Sequence, residues 1–123
     1  MQRRDDTGQE PRAGVPGISA REAWARLRDA EVPGAPLLVD VREIWEYEDG
    51  HAQGAVNVPL SEFRQRWSEL PRDRDLLMIC HVGERSLMAA RFLRQQGVER
   101  VANVEGGTDD WEAAGLPMQR GHA

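Results

Sequence analysis

The sequence predicts an α/β fold, a single and mostly parallel sheet flanked by helices on both faces. Two observations lead to this prediction. Four short apolar runs have the length and residue types of buried strands, and they lie at 37–41, 56–58, 76–79 and 101–104. Helical patterns alternate with these runs, and right-handed crossovers between parallel strands place such helices on the faces of a sheet.

The helices are predicted in chain order from their capping residues. The first begins at Ser19, which has capping-box spacing to Glu22, and ends before Pro33. Further helices are predicted at about 43–49, 61–69, 86–96 and 108–114. These elements predict one domain over residues 18–118, with a flexible N-terminal tail over 1–17 and a short C-terminal tail over 119–123.

Composition excludes several classes of protein. The 123-residue chain has a net charge of −5, which disfavours general binding to nucleic acid or to an anionic membrane. No apolar run approaches the ~20 residues of a membrane span. The single cysteine, Cys80, excludes a disulfide within the chain. A lone thiol and the lack of an apolar segment after Arg3 and Arg4 favour a cytoplasmic location.

The most informative segment is the loop that follows the third predicted strand. Cys80 stands at the end of an apolar run, and a short turn and an amphipathic helix come next. Ligands of open parallel sheets bind beyond the carboxyl ends of the strands. Gly83 allows the turn to curl, so that successive backbone N–H groups can surround an anion. A buried core position is the common alternative for a lone cysteine, but this context favours a functional one.

The loop is predicted to stabilise a cysteine thiolate. The helix N-terminus near Ser86 supplies unpaired N–H donors and the positive end of its dipole. Arg85 supplies a nearby cation and a forked donor that suits an oxyanion. The chemistry that these groups indicate is nucleophilic attack by Cys80 on a small anionic substrate. No metal site is predicted, because the histidines at 51, 81 and 122 lack metal-ligand spacing.

Four segments in order resemble the rhodanese family of sulfurtransferases. The loop Cys80-His81-Val82-Gly83-Glu84-Arg85-Ser86 is similar to the family's Cys-x-x-Gly-x-Arg-Ser loop. The other three segments are Asp-Val-Arg at 40–42, Gly-His-Ala-Gln-Gly-Ala-Val-Asn-Val-Pro at 50–59, and Val-Glu-Gly-Gly at 104–107 with Trp111 and Leu-Pro at 116–117 beyond it. The resemblance covers roughly residues 18–118.

The resemblance implies a reaction and a set of site residues. Cys80 would take a sulfane sulfur from thiosulfate, or from a related persulfide or polysulfide donor, and become a persulfide. The sulfur would then pass to cyanide, to a thiol or to a sulfur-acceptor protein, without a cofactor. The expected substrate-binding residues are His81, Val82, Gly83, Glu84, Arg85 and Ser86. The family fold has five strands, and the fifth is expected around Ile18.

Two other functions remain open from the sequence. A cysteine phosphatase also uses a thiolate, a backbone nest and an arginine, but the phosphatase signature has five residues between cysteine and arginine, and this loop has four. A non-catalytic rhodanese-like binding module is the second alternative, although such modules typically lack the cysteine. Glu84 either faces the mouth of the loop and disfavours doubly charged thiosulfate, or points into solvent.

Several other residues are interpreted as structural. Asp40 and Arg42 are expected to form an ion pair or hydrogen-bond pair that fixes a loop to the sheet, rather than to steady the active loop. His51 is expected to fix the turn before Gly54. His81 could contact substrate or solvent. The glycines at 106–107 are interpreted as a tight turn because they lack the context of a phosphate loop. The tryptophans are interpreted as packing residues, and they are Trp24, Trp45, Trp67 and Trp111.

Overall fold

A five-stranded parallel sheet forms the centre of the molecule, in a computed structural model that describes residues 14–29 and 34–121. The five strands are β1 (Gly17–Ile18), β2 (Leu37–Asp40), β4 (Val56–Asn57), β5 (Leu76–Ile79) and β6 (Val101–Val104). Their order in the sheet is β1-β6-β5-β2-β4, and each neighbouring pair is parallel. This confirms the α/β prediction with five strands.

A second, two-stranded antiparallel sheet stands beside the first. It pairs β3 (His51–Ala52) with β7 (Met118–Gln119). The helices are α1 (Ala20–Asp29), α2 (Ile44–Asp49), α3 (Phe63–Arg66), α4 (Glu84–Gln95) and α5 (Gly107–Ala113). None of the helices in the described part of the chain is long and apolar enough to cross a membrane.

Two apolar clusters hold the helices against opposite faces of the sheet. Neighbouring residues of one strand alternate between the clusters, as the pleat of a strand requires: Leu77 belongs to one cluster and Met78 to the other. The cluster with Met78 includes side chains of α3 and α4, such as Phe63 and Leu93. The cluster with Leu77 includes side chains of α1, α2 and α5. Both faces are covered, which explains why the strands are almost wholly apolar.

The register of the central strands places the site. Asp40 of β2 pairs with Ile79 of β5, and Met78 of β5 pairs with Asn103 of β6. The carboxyl ends of these three neighbouring strands therefore lie together at one edge of the sheet. Cys80 follows β5, the middle strand of the five, and so it stands at the centre of that edge.

The described fold extends beyond the predicted domain of residues 18–118 at both ends. Val15 is buried, and Gly17 pairs with Asn103 at the sheet edge. At the other end, Gln119 pairs with His51, and Gly121 N donates to Glu48 O over 2.8 Å. The sequence pattern missed these residues because a two-residue strand is too short to show a period. The rest of the predicted tails, 1–13 and 122–123, lies outside the described residues.

Two of the predicted helices differ from those observed. The helix over 61–69 is a four-residue α3 between 3₁₀ turns at Leu60–Glu62 and Trp67–Glu69. The second of these 3₁₀ turns ends at Leu70, which has the extended backbone that a following proline favours. The helix predicted from 86 begins instead at Glu84, because Gly83 has the left-handed conformation that ends the loop. Ser86 therefore lies within the first turn of α4.

Candidate active site

The Cys80 side chain lies at the bottom of its loop. It is only 1% exposed. Gly83 N donates a hydrogen bond to Cys80 Sγ over 3.1 Å, and Ser86 Oγ lies 3.3 Å from the same sulfur. Gly83 has φ +102°. That backbone conformation, which L side chains rarely adopt, turns its N–H inward onto the sulfur.

The first turn of α4, which adjoins this loop, has N–H donors without an intrahelical acceptor. Its first intrahelical hydrogen bond runs from Leu87 N to Gly83 O over 3.3 Å. The N–H groups of Glu84, Arg85 and Ser86 precede that bond and have no intrahelical acceptor. Such N–H groups, together with the positive end of the helix dipole, favour an anion.

Helix α5 binds the backbone carbonyls of the loop. Thr108 donates to Cys80 O from both its backbone N (2.8 Å) and its Oγ1 (2.9 Å), and Asp109 N donates to His81 O over 3.0 Å. A Cβ on Gly107 would lie 2.5 Å from both of these carbonyl oxygens. The glycines at 106–107 are thus a tight turn against the loop, as predicted, and the N–H groups of α5 bind protein carbonyls rather than a phosphate.

Asn103 is a site residue that the sequence analysis did not identify. It lies in β6, next to the active loop, and is 2% exposed. Its Oδ1 accepts a hydrogen bond from Ser86 Oγ over 2.6 Å, and its Nδ2 donates to Gly83 O over 3.1 Å. The signal in the sequence was a single amide in an otherwise apolar strand.

Glu46 of α2 is the second residue that was missed. Its two carboxylate oxygens accept from Arg85 Nη1 (2.8 Å) and Nη2 (3.0 Å) in a bidentate pair. The hydrogen bond from Arg85 is the main cause that lowers the pKa of Glu46 to about 2, and the pairing raises the pKa of Arg85. The pair of donors formed by Nη1 and Nη2 is therefore occupied by Glu46. Contact of the remaining Arg85 N–H groups with a substrate oxyanion stays a prediction.

The remaining predicted loop residues point outward. His81 is exposed, and its Nε2 lies 3.3 Å from Asp109 Oδ1. Val82 and Glu84 are also exposed. Their backbone groups belong to the loop around Cys80, so binding through main-chain N–H stays a prediction for both. The effect of the Glu84 charge on donor choice also stays a prediction.

Asp40 and Arg42 form the structural pair that was expected. Arg42 Nη2 donates to Asp40 Oδ2 over 2.9 Å and to Gly50 O over 2.7 Å, and both side chains are buried. His51 is fully buried, stacks on Tyr47 and has its Nδ1 2.7 Å from Tyr47 O. These contacts hold the turn after α2 and thereby the helix that carries Glu46.

The comparison with known families identifies the domain. The family model described as "Rhodanese-like domain" matches residues 19–114. The chain belongs to the rhodanese-like domain family. A solved structure of a rhodanese-related protein from Thermoplasma volcanium is 33% identical and superposes with a TM-score of 0.76, covering 85% of this chain and 98% of that one.

Two curated relatives give the rhodanese-like domain a chemical context. A protein of Allochromatium vinosum named "Sulfurtransferase" is 41% identical over 82% of this chain and 92% of its own length. A Bacillus subtilis protein named "Putative sulfur carrier protein YrkF" is also 41% identical, over 83% of this chain. This chain spans only about half (54%) of that relative's length.

A cavity of about 710 Å³ opens beside the rhodanese-like loop. Its lining includes His81 of the loop, Thr108 of α5, and Trp45 and Glu46 of α2. Trp45 is 69% exposed, so the interpretation of this tryptophan as a packing residue is wrong. The six-residue α2 buries Tyr47 and leaves Trp45 toward the cavity. Trp111, by contrast, is fully buried and packs edge to face with Trp24.

Proposed function

We propose that this protein is a sulfurtransferase that carries a sulfane sulfur as a Cys80 persulfide. The observation that supports this most directly is the environment of Cys80 Sγ, which has Gly83 N–H at 3.1 Å and the Ser86 hydroxyl at 3.3 Å, at the end of the middle strand. Two such donors favour a sulfur that carries negative charge. The names of the two relatives support the same class of reaction.

The proposed first half-reaction loads the sulfur. The Cys80 thiolate attacks the outer sulfur of thiosulfate, a new S–S bond forms at Sγ, and the S–S bond of thiosulfate breaks. Sulfite leaves with the electron pair of that bond, and the negative charge that was on Sγ is then on the outer sulfur of the persulfide. The N–H groups at the start of α4 are proposed to hold this charge, as preorganised donors do for a developing anion.

The second half-reaction unloads the sulfur to an acceptor. Cyanide, a thiolate or a sulfur-acceptor protein attacks the outer sulfur, a bond to the acceptor forms, and the persulfide S–S bond breaks. Its electron pair returns to Sγ and restores the thiolate. Because Cys80 is 1% exposed, the outer sulfur, one bond farther out, is the atom that an acceptor meets. The proposed donors are thiosulfate or a related persulfide or polysulfide.

Intact-mass measurement tests the proposal. After incubation with thiosulfate or a polysulfide, the native protein is expected to gain one sulfur atom and to lose it to excess cyanide or thiol. Cys80→Ser is expected to gain none, and since the chain has one cysteine, no second thiol can substitute. A native protein that takes no sulfur from thiosulfate, polysulfide or glutathione persulfide would contradict the proposal and favour a non-catalytic binding module.

A chromogenic aryl phosphate tests the phosphatase alternative on the same preparations. The loop has four residues between Cys80 and Arg85, and Arg85 Nη1 and Nη2 both donate to Glu46. We therefore expect no hydrolysis that depends on Cys80. Turnover that is lost in Cys80→Ser would assign the site to phosphoryl transfer instead.

A further inference from the structure

Asn103 is an unusual residue for its place in the fold. All four residues of β6 are buried, and asparagine is depleted in strands. A buried amide costs free energy unless its polar atoms are hydrogen-bonded. Both polar atoms of Asn103 have partners, and both partners belong to the active loop: Ser86 through Oδ1 and Gly83 through Nδ2.

The two partners of Asn103 are the same two residues that meet the nucleophile. Gly83 presents its N–H to Cys80 Sγ, and Ser86 presents its hydroxyl. The orientation of the Asn103 amide is fixed by chemistry, since Gly83 O can only accept and must face Nδ2. Oδ1 therefore faces Ser86 and can only accept from it.

The Ser86 hydroxyl has one proton and two acceptors. Asn103 Oδ1 lies 2.6 Å from Ser86 Oγ, and Cys80 Sγ lies 3.3 Å from it. While the proton points to Asn103, the serine oxygen can only accept from the cysteine, which suits the neutral thiol. When the sulfur is charged, the same proton can turn to the thiolate.

We infer that Asn103 is a positioning residue for Cys80, acting through Ser86 and Gly83. The reaction in this inference is the proposed sulfur transfer, so that part rests on the proposed function. The positioning of Cys80 rests only on the hydrogen bonds of Asn103. The hydrogen bond from Asn103 Nδ2 to Gly83 O restrains the backbone of Gly83, and this restraint keeps the Gly83 N–H directed at the sulfur. It also gives the Ser86 proton a second acceptor after Sγ has formed its S–S bond and the charge has moved outward. The buried hydroxyl then has a partner before and after sulfur loading.

A double-mutant cycle tests this inference. Single-turnover sulfur loading is measured by mass at increasing thiosulfate in Asn103→Ala, Ser86→Ala and the double variant. Asn103→Ala is expected to lower the maximal rate about ten-fold, by loosening two preorganised donors. In the Ser86→Ala background its effect is expected to fall to about three-fold, the part that Gly83 carries. The half-saturating thiosulfate concentration is expected to stay within about two-fold, since Asn103 does not touch the donor.

Asn57→Ala is the matched control. Its amide also bridges loop to sheet, since Nδ2 donates to Asp40 O and Arg42 O over 2.9 Å each, but it has no contact with Ser86 or Gly83. Asn57→Ala is expected to change the sulfur-loading rate by the same factor in the native and the Ser86→Ala backgrounds. The same result for Asn103→Ala would overturn the inference and leave Asn103 with a structural role only.

Two further arms keep the test decisive. If Asn103→Ala does not fold, Asn103→Leu is used in the same cycle, since its branched side chain has a similar shape and removes both hydrogen bonds without leaving a cavity. The cycle is also run on alkylation of Cys80 by iodoacetamide, which needs a nucleophilic sulfur but no sulfur donor. If native protein takes up no sulfur, the proposed function fails, and the coupling in alkylation still decides the role of Asn103.

Discussion

At the scale of single residues, the charge of Arg85 is balanced within the protein. Glu46 accepts hydrogen bonds from Arg85 Nη1 and Nη2, so the proposed substrate anion would meet a neutral pair rather than a free cation. We therefore expect anion binding by the loop to rest mainly on backbone N–H groups, whose direction is fixed by the fold. This arrangement makes Glu46 a determinant of the loop's geometry, since losing it would release Arg85 from α2.

Replacing Glu46 is expected to change the pH dependence of stability. The pKa of Glu46 is lowered from 4.5 to about 2, so its pairing stabilises the fold fully above about pH 4.5 and the stabilisation is lost as the pH falls toward 2. In urea unfolding, Glu46→Gln is expected to lose about 1–2 kcal/mol of unfolding free energy at pH 7, after allowance for partial exposure. The difference in unfolding free energy between native protein and Glu46→Gln is expected to shrink steadily as the pH falls below 4.5.

Glu62→Gln is the control for a surface pair. Glu62 binds Arg66 on an exposed helix face, with side chains 55% and 37% exposed. Its replacement is expected to change the unfolding free energy by less than about 0.5 kcal/mol at any pH. A Glu46→Gln gap that stays constant down to pH 2 would show that the carboxylate is not held by Arg85.

At the scale of elements, the contact between α5 and the active loop explains the glycine at position 107. Three hydrogen bonds from Thr108 and Asp109 hold the carbonyls of Cys80 and His81 toward α5. Because the C=O and N–H of a trans peptide point in opposite directions, the N–H groups of the same two peptides are turned away from α5. The helix thus acts as a support for the loop, and it requires a residue without Cβ at the point of closest approach.

Gly107→Ala is expected to impair the site more than the fold. Its φ is +57°, and an added Cβ would lie 2.5 Å from Cys80 O and His81 O. Gly115→Ala is the matched control, because its φ is +72° but an added Cβ would meet no atom within 4 Å. Both substitutions are expected to cost about 1 kcal/mol or more of unfolding free energy through backbone strain.

Only Gly107→Ala is expected to slow sulfur loading, by about ten-fold or more, because only it displaces the loop. The measurement is the single-turnover loading rate alongside urea unfolding of both variants. Equal loading rates in the two variants would mean that the loop tolerates displacement of α5, and that the support described above is not needed.

The same elements show what the sequence could and could not predict. The strands at 76–79 and 101–104 and the helix after Gly83 were predictable, because burial on both faces and a glycine turn leave clear patterns. Glu46 and Asn103 were not, because each meets the loop from a different element, and single-sequence patterns carry no information on such contacts. The two-residue strands β1 and β7 were too short to show a period.

At the scale of the whole molecule, the net charge opposes the proposed donor. The chain carries −5, and the cavity beside the loop is lined by Asp49, Asp109 and Glu112 as well as by Arg42 and Arg120. Arg42 is already paired with Asp40 inside the protein. We therefore expect an anion such as thiosulfate, the proposed donor, to approach against a repulsive field and to be attracted only at short range, by the N–H groups of the loop.

Salt is accordingly expected to accelerate sulfur uptake from thiosulfate. The screening length falls from about 30 Å at 0.01 M to about 8 Å at 0.15 M ionic strength, so the long-range repulsion is removed while the short-range donors remain. The kcat/KM for thiosulfate is expected to rise about two- to three-fold over that range. Alkylation of Cys80 by uncharged iodoacetamide is the control, and its rate is expected to change little. A fall in kcat/KM with salt would mean that the positive field of the loop, with Arg85 included, extends beyond the acidic rim and draws the donor in.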